Sequence, residues 1–90
     1  MNFARYQQYL HQYVCQAIEE SDGTNQGIAE CLWGTQVKGL LVTHREEKRR
    51  ALDDARKAFD DHRHWPREII LSHLGISHLE ESQKLDISQK

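Results

Sequence analysis

Proline is nearly missing from this chain. The single one, Pro66, leaves everything before it free of the strongest helix breaker. Cysteine is scarce too. Two residues, Cys15 and Cys31, make no disulfide framework, and in a reducing compartment they read as small buried hydrophobes. A bridge between them would need the first two helices to run antiparallel. No apolar run approaches the ~18 residues of a membrane span. The opening stretch MNFARYQQYLHQY is polar and amphipathic rather than leader-like. The expectation is a cytoplasmic chain with no membrane partner.

Charge of one sign is also absent. Net charge is −2 with histidine neutral. This provides neither the basic excess of a nucleic-acid binder nor the acidity of a DNA mimic. There is no glycine-rich phosphate loop and no internal repeat. No cysteine pair has zinc-ligand spacing: Cys15 and Cys31 stand sixteen apart, and His62 and His64 fall on different helix faces. Catalysis needs paired titratable groups in a cleft, whereas the acids here sit on a solvated helix. The chain therefore reads as a non-enzyme with no metal and no cofactor.

What is present is helical periodicity. Thr43 to Trp65 is the longest segment with one clear reading, a charged, solvent-facing helix. Thr43 and Glu46 form a T-x-x-E capping box, which starts at Thr43 a helix drawn over 44–64. Opposite charges recur four apart: Glu46/Arg50, Arg49/Asp53, Arg50/Asp54, Asp53/Lys57, Arg56/Asp60 and Lys57/Asp61. Each such pair adds only ~0.2–0.5 kcal/mol. A narrow apolar stripe of Leu52, Ala55, Phe59 and His62 suits one neighbouring helix. The stripe fades upstream, so the first two turns are expected to project beyond the core.

Ahead of it, Phe3, Tyr6, Leu10, Tyr13 and Ala17 repeat at 3-4-3-4, widened by Val14 and Ile18. They define a helix over 3–20. Ser21-Asp22-Gly23-Thr24-Asn25 is turn chemistry, with Thr24 or Asn25 placed to cap a second helix. That helix is drawn over 25–42 with a kink near Gly34. Pro66 suits the first position of a short helix over 66–74, burying Ile69, Ile70, Leu71 and Leu74. Gly75 reads as its left-handed ending, with Ile76 covering Leu71. Ser77 and Glu80 form another capping pattern, so a short turn of helix is drawn over 78–84. The expected fold is all-α: one small bundle of about four helices in a domain over 1–80, with a polar, frayed tail at 81–90.

Ninety residues bury only a modest core, and the aromatic and aliphatic stripes exceed what it needs. The functional expectation is a small non-catalytic regulator or adaptor. It acts by binding another protein or a second copy of itself, in the manner of compact phage or plasmid accessory proteins that modulate a host factor. The contact residues are expected to be Tyr6, Tyr9 and Tyr13 on the first helix, Trp33, and Arg45, Arg49 and Arg50. Tyrosine tips at the rim of a core explain the first three equally well. The second functional reading is a DNA-associated transcriptional regulator. The stretch REIILSHLGISHLEESQKL has the outline of a helix-turn-helix. However, Leu71 stands where a small residue should let two helices approach, and the would-be recognition helix carries Glu80 and Glu81 and no arginine.

Overall fold

The computed structural model describes residues 2–37 and 44–76. Among them are four helices and no strand: α1 (Phe3–Glu20), α2 (Asn25–Gly34), α3 (Arg45–Asp61) and α4 (Arg67–His73). The all-α bundle expected from periodicity is what forms. The proposed helical turn at 78–84 and the tail at 81–90 lie outside the described residues.

The α1 helix has the expected bounds. Asn2 caps it, accepting from the Arg5 amide at 3.1 Å. Leu10, Val14 and Ala17 form its buried stripe. Phe3, counted in that stripe by spacing, is instead 63% exposed and stacks on Tyr6. It sits at the very start of the helix, ahead of the buried positions that begin at Leu10.

Helix α2 opens on Thr24, whose hydroxyl accepts from the Gly27 amide at 3.0 Å. Asp22 Oδ1 accepts in turn from the Thr24 amide and hydroxyl, at 3.0 and 2.7 Å. The Thr24 hydroxyl and amide bonds hold the Asp22 carboxyl below the usual carboxylate range. A Cβ at Gly27 would meet Asp22 Oδ1, so that exposed side chain would have to swing away from its bonds to Thr24. The helix closes at Gly34 rather than running to residue 42, and residues 35–37 are not helical. Residues 25–64 are therefore two helices with a break, not one kinked helix.

Helix α3 begins at Arg45. The residue before it, His44, has φ +58°, a left-handed conformation that cannot extend the helix backwards. Thr43 lies outside the described residues, and the cap position falls one residue after it, with no side-chain cap bond. The first two turns do not project. His44 is hydrogen-bonded to the Tyr9 hydroxyl at 2.9 Å, Lys48 Nζ lies 5.2 Å from the Tyr9 ring centre, and Glu47 and Ala51 are buried. Nor are the six charge pairs formed at four-residue spacing. Among the described residues the ion pairs are Asp53–Arg56 and Asp60–Arg63, each three apart and 3.5 Å long. Several would-be partners are drawn away to other helices, as Asp54 is by Tyr6 and Arg56 by α2.

Ala51, Ala55 and Ala58 share one buried face of α3. Asp54 and Lys48 flank that face and reach Tyr6 and Tyr9, so it is the face α1 covers. Small side chains there let the two backbones approach closely. Leu52 and Phe59 share the side of α3 from which Arg56 reaches α2, and both are buried. The core closes with Ile28, Ala29 and Leu32 from α2 and Ile70 and Leu71 from α4.

Helix α3 ends at Asp61, three residues short of the 44–64 expected from the sequence. His62 turns out of the helix and stacks on Trp65 with ring centres 3.8 Å apart, and the Trp65 amide donates to the His62 carbonyl at 2.8 Å. Asn25 secures this turn from α2, donating to the Trp65 and Arg63 carbonyls at 2.6 and 2.9 Å. In α4, Pro66 takes the cap position rather than the first helical one. Ile70 and Leu71 are fully buried, but Ile69 is exposed, on the outer side of a helix too short to be covered all round.

The α4 ending follows the left-handed scheme. The Ile76 amide donates to the Leu71 carbonyl at 2.9 Å, the Gly75 amide donates to the Ser72 carbonyl at 3.0 Å, and Ile76 is buried. Gly75 has φ +79°, and an added Cβ would meet only Gln7 at 3.7 Å, an ordinary contact. Gly75→Ala should therefore lose about 1 kcal/mol through the backbone alone. A urea melt showing an unchanged midpoint would contradict this.

Candidate interaction surface

The residues singled out by sequence fall in two places. Tyr6, Tyr9 and Tyr13 lie in or beside the seam between α1 and α3, all partly buried against the core. The Tyr6 hydroxyl donates to Asp54 Oδ2 at 2.5 Å. Burial first, and then this bond to a carboxylate, pushes the Tyr6 phenol up to about 12. Burial also raises the Tyr13 phenol, with Tyr9 nearby adding to the effect. The hydroxyls of Tyr6 and Tyr9 are thus committed to α3.

The Tyr6 bond has a pH signature. Its phenol ionises at higher pH in the folded chain than in the unfolded one, so the unfolded state loses its proton first. Stability from this group is complete below pH 10 and is lost as pH rises toward 12. Tyr6→Phe should lower stability at neutral pH by about 1–2 kcal/mol and flatten the decline in that alkaline window. Equal decline in both proteins across the window, followed by circular dichroism, would contradict the assignment.

The second place is the open side of α2 and α3. Arg56 organises it. Its Nε donates to the Leu32 carbonyl at 2.8 Å, its Nη2 to the Thr35 carbonyl, and its Nη1 lies 3.5 Å from Asp53. A cation here satisfies carbonyls left over at the C-terminal end of α2, where the helix dipole favours positive charge. Thr35 completes the ending, its hydroxyl donating to the Cys31 carbonyl at 2.8 Å. The same guanidinium lies 5.0 Å from the centre of the Trp33 ring. Trp33 is nevertheless 55% exposed, and is thus anchored on one face and open to solvent elsewhere.

Beside this cluster runs a groove of about 350 Å³ whose lining includes Val37, Leu52, Arg45, Arg49, Asp53 and Arg56. Arg45 and Arg49 are exposed one helical turn apart and have no ion-pair partner among the described residues. Arg50 is on another side of α3, with Glu46, Asp54 and Lys57 around it, and acts electrostatically on Tyr6. The structure thus brings Arg45 and Arg49 near Arg56, the residue that holds Trp33, and leaves the tyrosines outside that groove, while Arg50 meets Arg49 only in a second depression with Glu46 and Asp53. Sequence reasoning misses Arg56. Its spacing to Asp60 suggests half of a surface ion pair, and nothing local signals contacts 21 and 24 residues away.

A third feature is a depression of about 300 Å³ among α1, α3 and α4, lined by Tyr6, Asp54, Lys57, Asp61, His62 and His73. His73 meets His62 and Trp65 edge-on, at 5.2 and 5.9 Å between ring centres. Among the described residues no three His, Cys, Asp or Glu side chains are grouped to hold a metal ion. Cys15 and Cys31 are free thiols, and burial, then Glu19, raises the Cys15 thiol away from the reactive thiolate. Leu71, at the helix-turn-helix approach position, is fully buried. The second helix of that motif would lie outside the described residues.

No family model, no curated protein and no solved structure matches this chain. Among the described residues, no helix is long and apolar enough to cross a membrane.

Proposed function

We propose that this chain is a small non-catalytic binding protein, a regulator or adaptor that works by holding another protein. The observation that carries the reading is Trp33. A large aromatic side chain left more than half exposed, braced by an arginine that also lines a groove with two further arginines, has the composition of a binding hot spot. Tryptophan and arginine are the residue types enriched where protein partners bind. The tyrosines support the reading less, since two of their hydroxyls serve the α1–α3 contact, and a homodimer through α1 is accordingly not part of the proposal. A cytoplasmic setting and a role like that of phage or plasmid accessory proteins fit the size and composition of the chain.

The test is affinity capture from host lysate, with and without nuclease, using the native chain and Trp33→Ala. Trp33→Ala should keep its fold, losing no more than about 1 kcal/mol from the arginine–indole contact. The expected result is a stoichiometric protein partner that survives nuclease and is lost with Trp33→Ala. Capture that disappears with nuclease would replace this reading with the DNA-associated one. Capture that ignores the substitution would move the surface elsewhere.

A further inference from the structure

We infer that the groove beside Trp33 receives an acidic protein segment, which sets one large apolar side chain against the indole and carboxylates against Arg45 and Arg49. The inference rests on the protein-binding reading and adds the chemistry of the partner. Three observations carry it.

First, the groove's free charge is positive. Arg56 is fully engaged, by two carbonyls, an indole face and Asp53. Asp53 offsets it, so the surplus belongs to Arg45 and Arg49. Second, those two arginines are fixed in spacing. Four residues along a helix place them about 6 Å apart along the axis. Side chains two apart on an extended strand repeat at about 6.6 Å, so alternate carboxylates of an extended segment match both. Arginine also takes carboxylates in a two-pronged geometry that lysine does not. Third, the groove has an apolar part. Val37 and Leu52 lie in its lining, and the indole is exposed nearby. A space of about 350 Å³ accommodates one or two side chains rather than the flat face of a second domain.

A nucleic-acid strand fits less well. Phosphate binding draws on several cations in line, whereas Glu46 and Asp53 stand on the outer ridge of α3 next to Arg49 and Arg50. The two free cations of the groove match a pair of carboxylates rather than a run of phosphates.

The test is selection of short random peptides displayed against the full-length chain. Trp33→Ala and the double charge reversal Arg45→Glu with Arg49→Glu serve as parallel targets. All three positions are exposed, and each variant's fold is checked by circular dichroism. Peptides enriched on the native chain should carry at least two acidic residues and one large apolar residue. They should bind about tenfold or more weakly to either variant, and the charge-reversed chain should enrich basic peptides instead. Neutral or basic peptides on the native chain, enrichment indifferent to the variants, or no enrichment would each overturn the inference. So would a single-stranded oligonucleotide that displaces the enriched peptide at equal concentration. If lysate capture still depends on Trp33 while the peptides prove neutral, only the acidic partner is wrong. If both fail, the protein-binding reading falls with it.

Discussion

Phe59→Ala is expected to remove about 3–5 kcal/mol of stability, the range for truncating a fully buried aromatic ring. Phe59 is the largest side chain with no exposure in the described structure. It sits where α3 turns from α1 toward α2, so no single neighbour can move in to fill the space. A domain of this length holds roughly 5–13 kcal/mol in total. The substitution would therefore remove about a quarter of the stability at the least, and all of it at the most. In urea, the midpoint should fall sharply or the cooperative transition should disappear. A loss under about 1 kcal/mol would mean that the ring is not enclosed as described.

Arg56→Ala should cost about 2–3 kcal/mol. The side chain is only 17% exposed, and its removal leaves the Leu32 and Thr35 carbonyls without their charged donor. Losing a buried partner of this kind exposes the full desolvation penalty of what remains. Water can reach part of this site, which is why the figure is not higher. Arg56→Lys tests the geometry separately from the charge. One ammonium cannot span two carbonyls and lie over an indole at once, so lysine should recover less than half of the loss. Amide exchange should show the effect concentrated in the last turn of α2. If lysine restores the native midpoint, charge alone matters and the forked contact does not.

The fold is readable in the sequence wherever the deciding forces are local. The α1 stripe from Leu10 to Ala17, the turn at Gly23, the Thr24 cap and the Gly75 ending all depend on residues a few positions apart, and all form as their spacing implies. The unreadable parts depend on distant partners. A disturbance near Gly34 is legible, but the carbonyls at the end of α2 are taken by Arg56, which no window around residue 34 contains. The start of α3 at His44 involves Tyr9, 35 residues away. The charge ladder along α3 looks like a solvated face closed on itself, yet Asp54 and Arg56 serve α1 and α2. The candidate surface shows the same division. Trp33, Arg45 and Arg49 can be named from residue type, but not the arginine that holds the tryptophan. For the tyrosines, sequence leaves rim and interface open, and the bonds to Asp54 and His44 favour the rim.

The most direct test of the binding claim is a photo-crosslinker placed at Gln36, an exposed position in the groove lining, and activated inside the host cell. The same crosslinker at Gln12, exposed on α1, is the control. The expected product is a discrete protein adduct from Gln36, absent from Gln12 and lost on adding Trp33→Ala. An adduct formed only from Gln12, or nucleic acid as the sole product at Gln36, would contradict the claim.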